Sequence, residues 1–86
     1  MYYVYVMRSQ KDKKFYVGFT SDLQNRLKRH NDGLVESTKF RRPFKVVYYE
    51  ACVNKDDAIR RERYLKSTYG KRYIRNRISN FLCEEE

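Results

Sequence analysis

The sequence predicts an α+β domain, in which a three-stranded antiparallel sheet is flanked by helices in the order β-β-α-β-α-α. Runs of β-branched and aromatic residues alternate with amphipathic stretches that have a helical period. Residues that commonly cap helices precede two of those stretches. A length of 86 residues accommodates one domain and excludes a second core.

Three segments are predicted to be strands. Residues 2–8 (YYVYVMR) and 14–18 (KFYVG) are separated by a polar turn, which predicts an antiparallel hairpin. Residues 45–53 (KVVYYEACV) form the third predicted strand. Because side chains alternate along a strand, Tyr5 and Tyr16 are able to reach the same face of the hairpin.

The first predicted helix begins at Ser21 or Asp22 and stops at Gly33. A polar, basic loop over 34–44 follows it. Asn54 caps the second predicted helix.

That second helix covers 55–69 and is closed by Gly70. A third, short helix is predicted over 71–82, with Tyr73, Ile74, Ile78 and Phe81 facing inward.

The charge balance points to a polyanionic partner. Twenty Lys and Arg against eleven Asp and Glu give a formal charge of +9. A basic surface of this size releases counterions from phosphates, which favours nucleic acid as the partner. Charge alone carries no information about chemistry.

Several cellular locations are disfavoured. No apolar run approaches the ~18 residues of a membrane span, and the N-terminus lacks the pattern of a secretion signal. Cys52 and Cys83 lie far apart, in a spacing that fits neither a zinc site nor a disulfide framework. We therefore expect a cytoplasmic protein without membrane association.

The first helix places two polar side chains beside its apolar face. Leu23, Leu27, His30 and Leu34 fall on one stripe, and Arg26 lies at its border, one turn before His30. His30 is either a half-buried core histidine or a functional group. Arg26 either lays its stem on the core or serves a site.

The second helix carries a carboxylate in its inward stripe. Glu62 falls between Ala58 and Leu65, with Tyr69 further along the same stripe. Burying an unpaired carboxylate costs several kcal/mol, so Glu62 faces a cation, a metal or a wet cleft. A structural ion pair with Lys66, or with an arginine across the core, is the alternative.

These residues together resemble the GIY-YIG nuclease family. Residues 3–5 (YVY) stand where the family has its first tripeptide, and residues 16–18 (YVG) where it has its second, with ten residues between Tyr5 and Tyr16. Arg26 follows eight residues after Gly18, and the segment RLKRH matches the family's arginine and histidine pattern. Glu62, within AIRRERYLK, matches the metal-binding glutamate. Tyr3 departs from the family's first glycine.

The resemblance implies a nuclease domain over 1–82, followed by an acidic tail over 83–86. It implies hydrolysis of DNA phosphodiester bonds with one divalent cation, Mg²⁺ or Mn²⁺, held by Glu62. In the implied mechanism Tyr5 orients or deprotonates the attacking water, and Tyr16 holds a phosphate oxygen or a metal-bound water. Arg26 balances charge on the phosphate, and His30 relays a proton or positions the nucleophile.

Six further cations are candidate contacts to the nucleic-acid backbone, without sequence readout: Lys14, Lys28, Arg29, Lys39, Arg41 and Arg42. Two other functions are compatible with the sequence. One is a nucleic-acid-binding module of the same fold with little or no nuclease activity, and the other is a protein that presents its basic surface to an acidic partner. The oligomeric state is open.

Overall fold

A computed structural model describes residues 1–85 of the chain and contains a three-stranded antiparallel sheet with helices on both faces. The sheet order is β2-β1-β3, so the first strand is central and the hairpin places β2 at an edge. The elements are β1 (Tyr2–Ser9), β2 (Phe15–Thr20), α1 (Leu23–Asn31), β3 (Phe44–Cys52), α2 (Lys55–Lys66), α3 (Thr68–Arg77) and α4 (Ser79–Glu85). The predicted α+β class and antiparallel sheet are confirmed, with one helix more than expected.

Each face of the sheet carries its own apolar cluster. On one face, α2 and α3 bury Ala58, Leu65 and Ile74 against the valines of β1 and β2. On the other face, Leu23 and Leu27 of α1 pack on a cluster that includes Tyr5 and Met7. The alternation of side chains along β1 therefore assigns Tyr5 and Met7 to one layer and Val4 and Val6 to the other.

The first helix is capped by Asp22, one of the two residues at which it was predicted to begin. The side chain of Asp22 accepts a hydrogen bond from the Asn25 amide and caps α1. The helix ends at Asn31, before Gly33. Leu34 therefore lies outside the helix and is 59% exposed, so the prediction that it continues the apolar stripe was wrong.

The boundary between the second and third helices lies earlier than predicted. Ser67 ends α2 and caps α3 by accepting a hydrogen bond from the Gly70 amide. Gly70 lies in the first turn of α3, where a Cβ would collide with the backbone of Tyr64 and Leu65. The glycine permits a close crossing of two helices and does not end one. Tyr69, predicted to face inward, is 69% exposed as a result.

The C-terminal segment forms two helices where one was predicted. Ile78 separates α3 from α4, and its amide still donates to the Ile74 carbonyl. Ile74 is buried as expected, whereas Tyr73 is exposed. Residues 83–85 of the predicted tail belong to α4, and Glu86 lies outside the described residues.

Candidate active site

The phenol of Tyr5 lies over Gly18, its partner in the register of β1 and β2. A Cβ built on Gly18 would stand 2.5 Å from the Tyr5 oxygen, so only glycine leaves room for the ring in this position. Met7 pairs with Tyr16 in the same register, which brings both predicted tyrosines to one face of the hairpin. Their ring centroids are 6.5 Å apart.

A chain of hydrogen bonds runs inward from Tyr5. Its hydroxyl is 2.9 Å from Nε2 of His30, and Nδ1 of His30 is 2.8 Å from Oγ1 of Thr38. The Thr38 hydroxyl donates to the Val35 carbonyl at 3.4 Å, so its oxygen accepts from Nδ1–H of His30. Nε2 is then the acceptor nitrogen of the ring, and the Tyr5 hydroxyl is the donor to it.

Burial keeps both partners of this pair neutral. His30 is 0% exposed, and its burial together with the Arg26 charge lowers the pKa of the imidazole to about 4. Tyr5 is 1% exposed, and burial raises the pKa of its phenol. The Arg26 guanidinium beside the phenol opposes that rise by favouring the phenolate. At neutral pH, His30 is therefore a proton acceptor already joined to a proton donor.

Tyr16 and Arg26 form the more open part of the site. Both side chains are half-buried, unlike those of Tyr5 and His30. The Tyr16 ring lies 5.1 Å from the His30 ring, centroid to centroid, and meets it edge-on. A phenol and a guanidinium that remain reachable from solvent are able to donate hydrogen bonds to an anionic oxygen.

Glu62 is contributed by α2. Its negative charge is the weakest of several influences on the pKa of Tyr5, which it raises. The side chain is 17% exposed, and the cation nearest to it in the described residues is Lys66, whose Nζ lies 3.5 Å from Oε2. The predicted alternative of an ion pair with Lys66 is therefore present, and within the described residues no arginine forms a salt bridge with Glu62. Glu62 therefore keeps oxygen lone pairs available for a ligand.

The structure thus brings four of the five predicted residues together: Tyr5, Tyr16, Arg26 and His30. The charge of the fifth, Glu62 on α2, acts on the phenol of Tyr5. Sequence analysis missed Thr38, the buried hydroxyl that fixes His30. Its place in a basic loop gave no signal, since a threonine eight residues after a histidine has no helical or strand relation to it.

The six predicted backbone contacts have different surroundings in the structure. Lys28 pairs with Asp32 at 2.6 Å on the outer side of α1, and Lys39 pairs with Glu36 at 3.1 Å. The guanidinium of Arg42 donates to the Lys39 carbonyl, and Arg29 is exposed. Lys14 and Arg41, in contrast, line one cleft.

Comparison with known proteins identifies the family of the chain. The family model described as GIY-YIG catalytic domain matches residues 1–80. The UPF0213 protein CPE1444 of Clostridium perfringens is 43% identical over 67 residues, which cover 77% of this chain and 71% of that protein. The UPF0213 protein YazA of Bacillus subtilis is 38% identical over 72 residues, which cover 83% of this chain and 72% of that protein.

A solved structure has the same fold. The solution NMR structure of the UPF0213 protein BH0048 from Bacillus halodurans superposes with a TM-score of 0.53 at 33% identity. The alignment covers 86% of this chain and 82% of that one. With a catalytic-domain model that spans nearly the whole sequence and relatives at this level of identity, the chain belongs to the GIY-YIG family.

Proposed function

We propose that this protein is a metal-dependent endonuclease that hydrolyses DNA phosphodiester bonds. The observation that carries the proposal is the hydrogen-bonded pair of Tyr5 and neutral His30, beside the Arg26 guanidinium and the Glu62 carboxylate. This set contains a proton acceptor, a cation for a phosphate oxygen and a ligand for a metal. A net charge of +9 supports a polyanionic substrate.

The residues fit a hard divalent cation held by few protein ligands. Within residues 1–85, no group of three or more His, Cys, Asp and Glu side chains is close enough to enclose a metal. Mg²⁺ commonly keeps several waters and binds through one or two carboxylates together with substrate phosphates, a requirement that Glu62 alone meets on the protein side. Bound there, Mg²⁺ or Mn²⁺ supplies Lewis-acid assistance at the phosphate and the leaving 3′ oxygen.

The chain's own residues handle the proton. The phenol oxygen of Tyr5 takes a proton from the attacking water as its own proton passes to Nε2 of His30. Thr38 holds the ring in the tautomer that leaves Nε2 free to accept. The Arg26 charge favours the phenolate character that develops on Tyr5 during this transfer.

Arg26 and Tyr16 have the second task, which is to hold the phosphate. Charge accumulates on the phosphate oxygens as the water attacks, and a guanidinium stabilises that charge with forked donors. The half-buried Tyr16 supplies a neutral hydroxyl donor for another oxygen of the same phosphate. Both groups therefore act on the substrate, while Tyr5 and His30 act on the water.

A nucleic-acid-binding module of the same fold is the second candidate. The near-complete burial of Tyr5 and His30 favours it, because a phenol that is 1% exposed does not meet bulk water directly. In this alternative the pair is a buried structural contact, and the basic surface performs the whole function.

Incubation of the protein with Mg²⁺ or Mn²⁺ and a panel of DNA structures (duplex, single-stranded, flap and branched) separates the two. The nuclease predicts a product that is abolished by EDTA and reduced on the order of 10²-fold by Arg26→Gln. The binding module predicts salt-sensitive retention of the same DNA without metal-dependent product. Absence of any product across the panel would reject the nuclease.

A further inference from the structure

A cleft beside β2 is lined by four cations and one aromatic ring. Lys14 lies in the turn between β1 and β2, and Arg41 lies in the loop between α1 and β3. Lys71 and Arg75 come from α3. Phe15 lies among them, and the cleft has a volume of about 300 Å³. The two α3 residues were not among the contacts predicted from sequence.

The cleft carries more positive charge than its neighbours compensate. Arg41 forms an ion pair with Asp12, with 2.8 Å between Nε and Oδ2. Among the described residues, no carboxylate forms a salt bridge with Lys14, Lys71 or Arg75. Three like charges that converge on one cleft repel one another, and an anion bound between them relieves that repulsion.

The two α3 cations are held toward the cleft. Lys71 and Arg75 stand one turn apart, so they project from the same side of the helix. The Arg75 guanidinium lies 5.2 Å from the centre of the Phe15 ring, a cation–π contact that orients it over the edge strand. The donors are therefore partly organised before a ligand arrives.

The cleft adjoins a cavity that reaches Tyr16 on β2. A neighbouring cavity of about 230 Å³ shares Phe15 and Lys71 with it and is also lined by Tyr16 and Lys66. Lys66 in turn lies 3.5 Å from Glu62. Lys14 precedes Tyr16 by two residues, which is about 7 Å of extended chain.

We propose that this cleft binds a backbone phosphate of a nucleic-acid strand, on the same strand as the phosphodiester that meets Tyr16 and Glu62. The ligand class is a phosphodiester anion, recognised by ammonium and guanidinium groups without base readout. The inference rests on the proposed function for the identity of the polymer, and on the described charges for the site itself.

A pair of matched double variants tests it. Lys71→Gln with Arg75→Gln removes two charges from the cleft, and Lys55→Gln with Arg72→Gln removes two exposed charges elsewhere, one of them from the same helix. Binding of a labelled DNA oligonucleotide is measured in EDTA, so that no cleavage intervenes, over a range of salt concentrations. Thermal unfolding of both variants confirms that they fold.

We expect the cleft variant to bind about tenfold more weakly than the control variant, with a salt slope smaller by about two, one for each cation that no longer neutralises a phosphate. Equal affinities and slopes in the two variants would overturn the proposal. A titration with inorganic phosphate, followed by the amide NMR signals of α3, identifies the source of the anion. Saturation by phosphate as readily as by the oligonucleotide would overturn the assignment to a strand.

The outcome is separable from that of the proposed nuclease. If the wild type cleaves DNA but the two double variants bind DNA equally well, the cleft is rejected and the nuclease is not. A selective binding loss in the cleft variant, with no cleavage by the wild type on any DNA, supports the cleft and rejects the nuclease.

Discussion

Gly18 and Thr38 are the two residues that decide where the Tyr5 and His30 side chains stand. Gly18 leaves the space that the Tyr5 phenol fills, and Thr38 accepts the hydrogen bond that fixes the His30 ring. Neither residue titrates or has a nucleophilic role at neutral pH. Their effect on the proposed reaction is through position alone, which makes them sensitive probes of the site.

Gly18→Ala should displace the Tyr5 phenol, since the added Cβ would stand 2.5 Å from its oxygen. Overpacking of this kind costs about 1–3 kcal/mol, and we expect cleavage to fall together with the hydrogen bond to His30. We would measure the free energy of unfolding and the cleavage rate for three variants: Gly18→Ala, Tyr5→Phe and the double variant. Because both changes remove the same hydrogen bond, their effects on cleavage should not add. Additive losses would show that Gly18 acts elsewhere.

Thr38→Val should leave Nδ1–H of His30 without an acceptor in a buried site. An unsatisfied buried donor costs about 1–3 kcal/mol, and the ring escapes part of that cost by moving its proton to Nε2. Nitrogen chemical shifts of the imidazole report the tautomer directly. Thr38→Ser keeps the hydroxyl and serves as the control. A Val variant with an unchanged tautomer and stability would contradict the hydrogen-bond chain.

His30 should also give the protein a pH-dependent stability. Its pKa is lowered from 6.5 to about 4, so between these values the unfolded chain binds more protons than the folded one. The contribution of His30 to the free energy of unfolding should therefore be complete above pH 6.5. It should decrease by up to about 3 kcal/mol as the pH drops toward 4. The pKa values of Asp12 and Glu50 are also lowered, from 3.8 and 4.5. Their contributions to the free energy of unfolding are therefore lost only as the pH falls below these ordinary values.

An NMR titration of the imidazole checks this, since His30 is the single histidine of the chain. The expected midpoint is about 4. Urea unfolding at several pH values measures the free energy of unfolding. A midpoint near 6.5, with no change in stability between pH 6.5 and 4.5, would mean that the ring is solvated.

At the level of the elements, the orientation of α2 determines where Glu62 points. Arg61, the residue before it, donates two hydrogen bonds of 2.8 Å to Glu50 on β3. The Arg61 guanidinium also lies 4.9 Å from the centre of the Tyr73 ring on α3. Because the Arg61 side chain ties α2 to β3 and α3, it fixes the rotation of α2, and with it the direction of the Glu62 side chain about 100° further around the helix.

Arg61→Lys should weaken this connection, because an ammonium group cannot make the forked contact with Glu50. Both side chains are partly exposed, so we expect a loss of about 1 kcal/mol in the free energy of unfolding. The urea midpoint measures it, and Arg60→Lys, on an exposed pair with Asp57, is the control. A loss no larger than that of the control would show that the ion pair does not hold α2.

Strands and caps were predictable at this level, whereas the helix crossing was not. The alternation in β1 and the capping residues Asp22 and Asn54 are local signals, and the structure agrees with them. Gly70 was misread because a glycine that ends a helix and one that permits close packing have the same sequence signature. Only the approach of α3 to the α2 backbone distinguishes the two cases, and that is a tertiary property.

For the whole molecule, the sequence predicted the sign of the charge but not its distribution. Three of the six predicted backbone contacts (Lys28, Lys39 and Arg41) form ion pairs with nearby acids, which single-residue reasoning does not detect. Lys71 and Arg75 lie beside the inward stripe formed by Ile74 and Ile78, a helical pattern that was visible in the sequence. Their meeting with Lys14 depends on how α3 packs against β2.

Within residues 1–85, no helix is both long and apolar enough to cross a membrane. Two features are apparent at this scale: the candidate site around Tyr5 and His30, and the basic cleft, which adjoins a cavity that reaches Tyr16. The proposed division of labour is that the cleft positions the strand while the site cuts it. This account depends on the carboxylate of α2 more than on any other group.

The most direct test is the metal-dependent cleavage rate of Glu62→Gln, compared with wild type and with Glu84→Gln, an exposed glutamate of α4. Glutamine keeps the shape of the side chain and removes the charge that would hold the cation. We predict a loss on the order of 10²-fold or more in cleavage for Glu62→Gln, with DNA binding retained, and no loss for Glu84→Gln. Cleavage by Glu62→Gln at the wild-type rate would contradict the account.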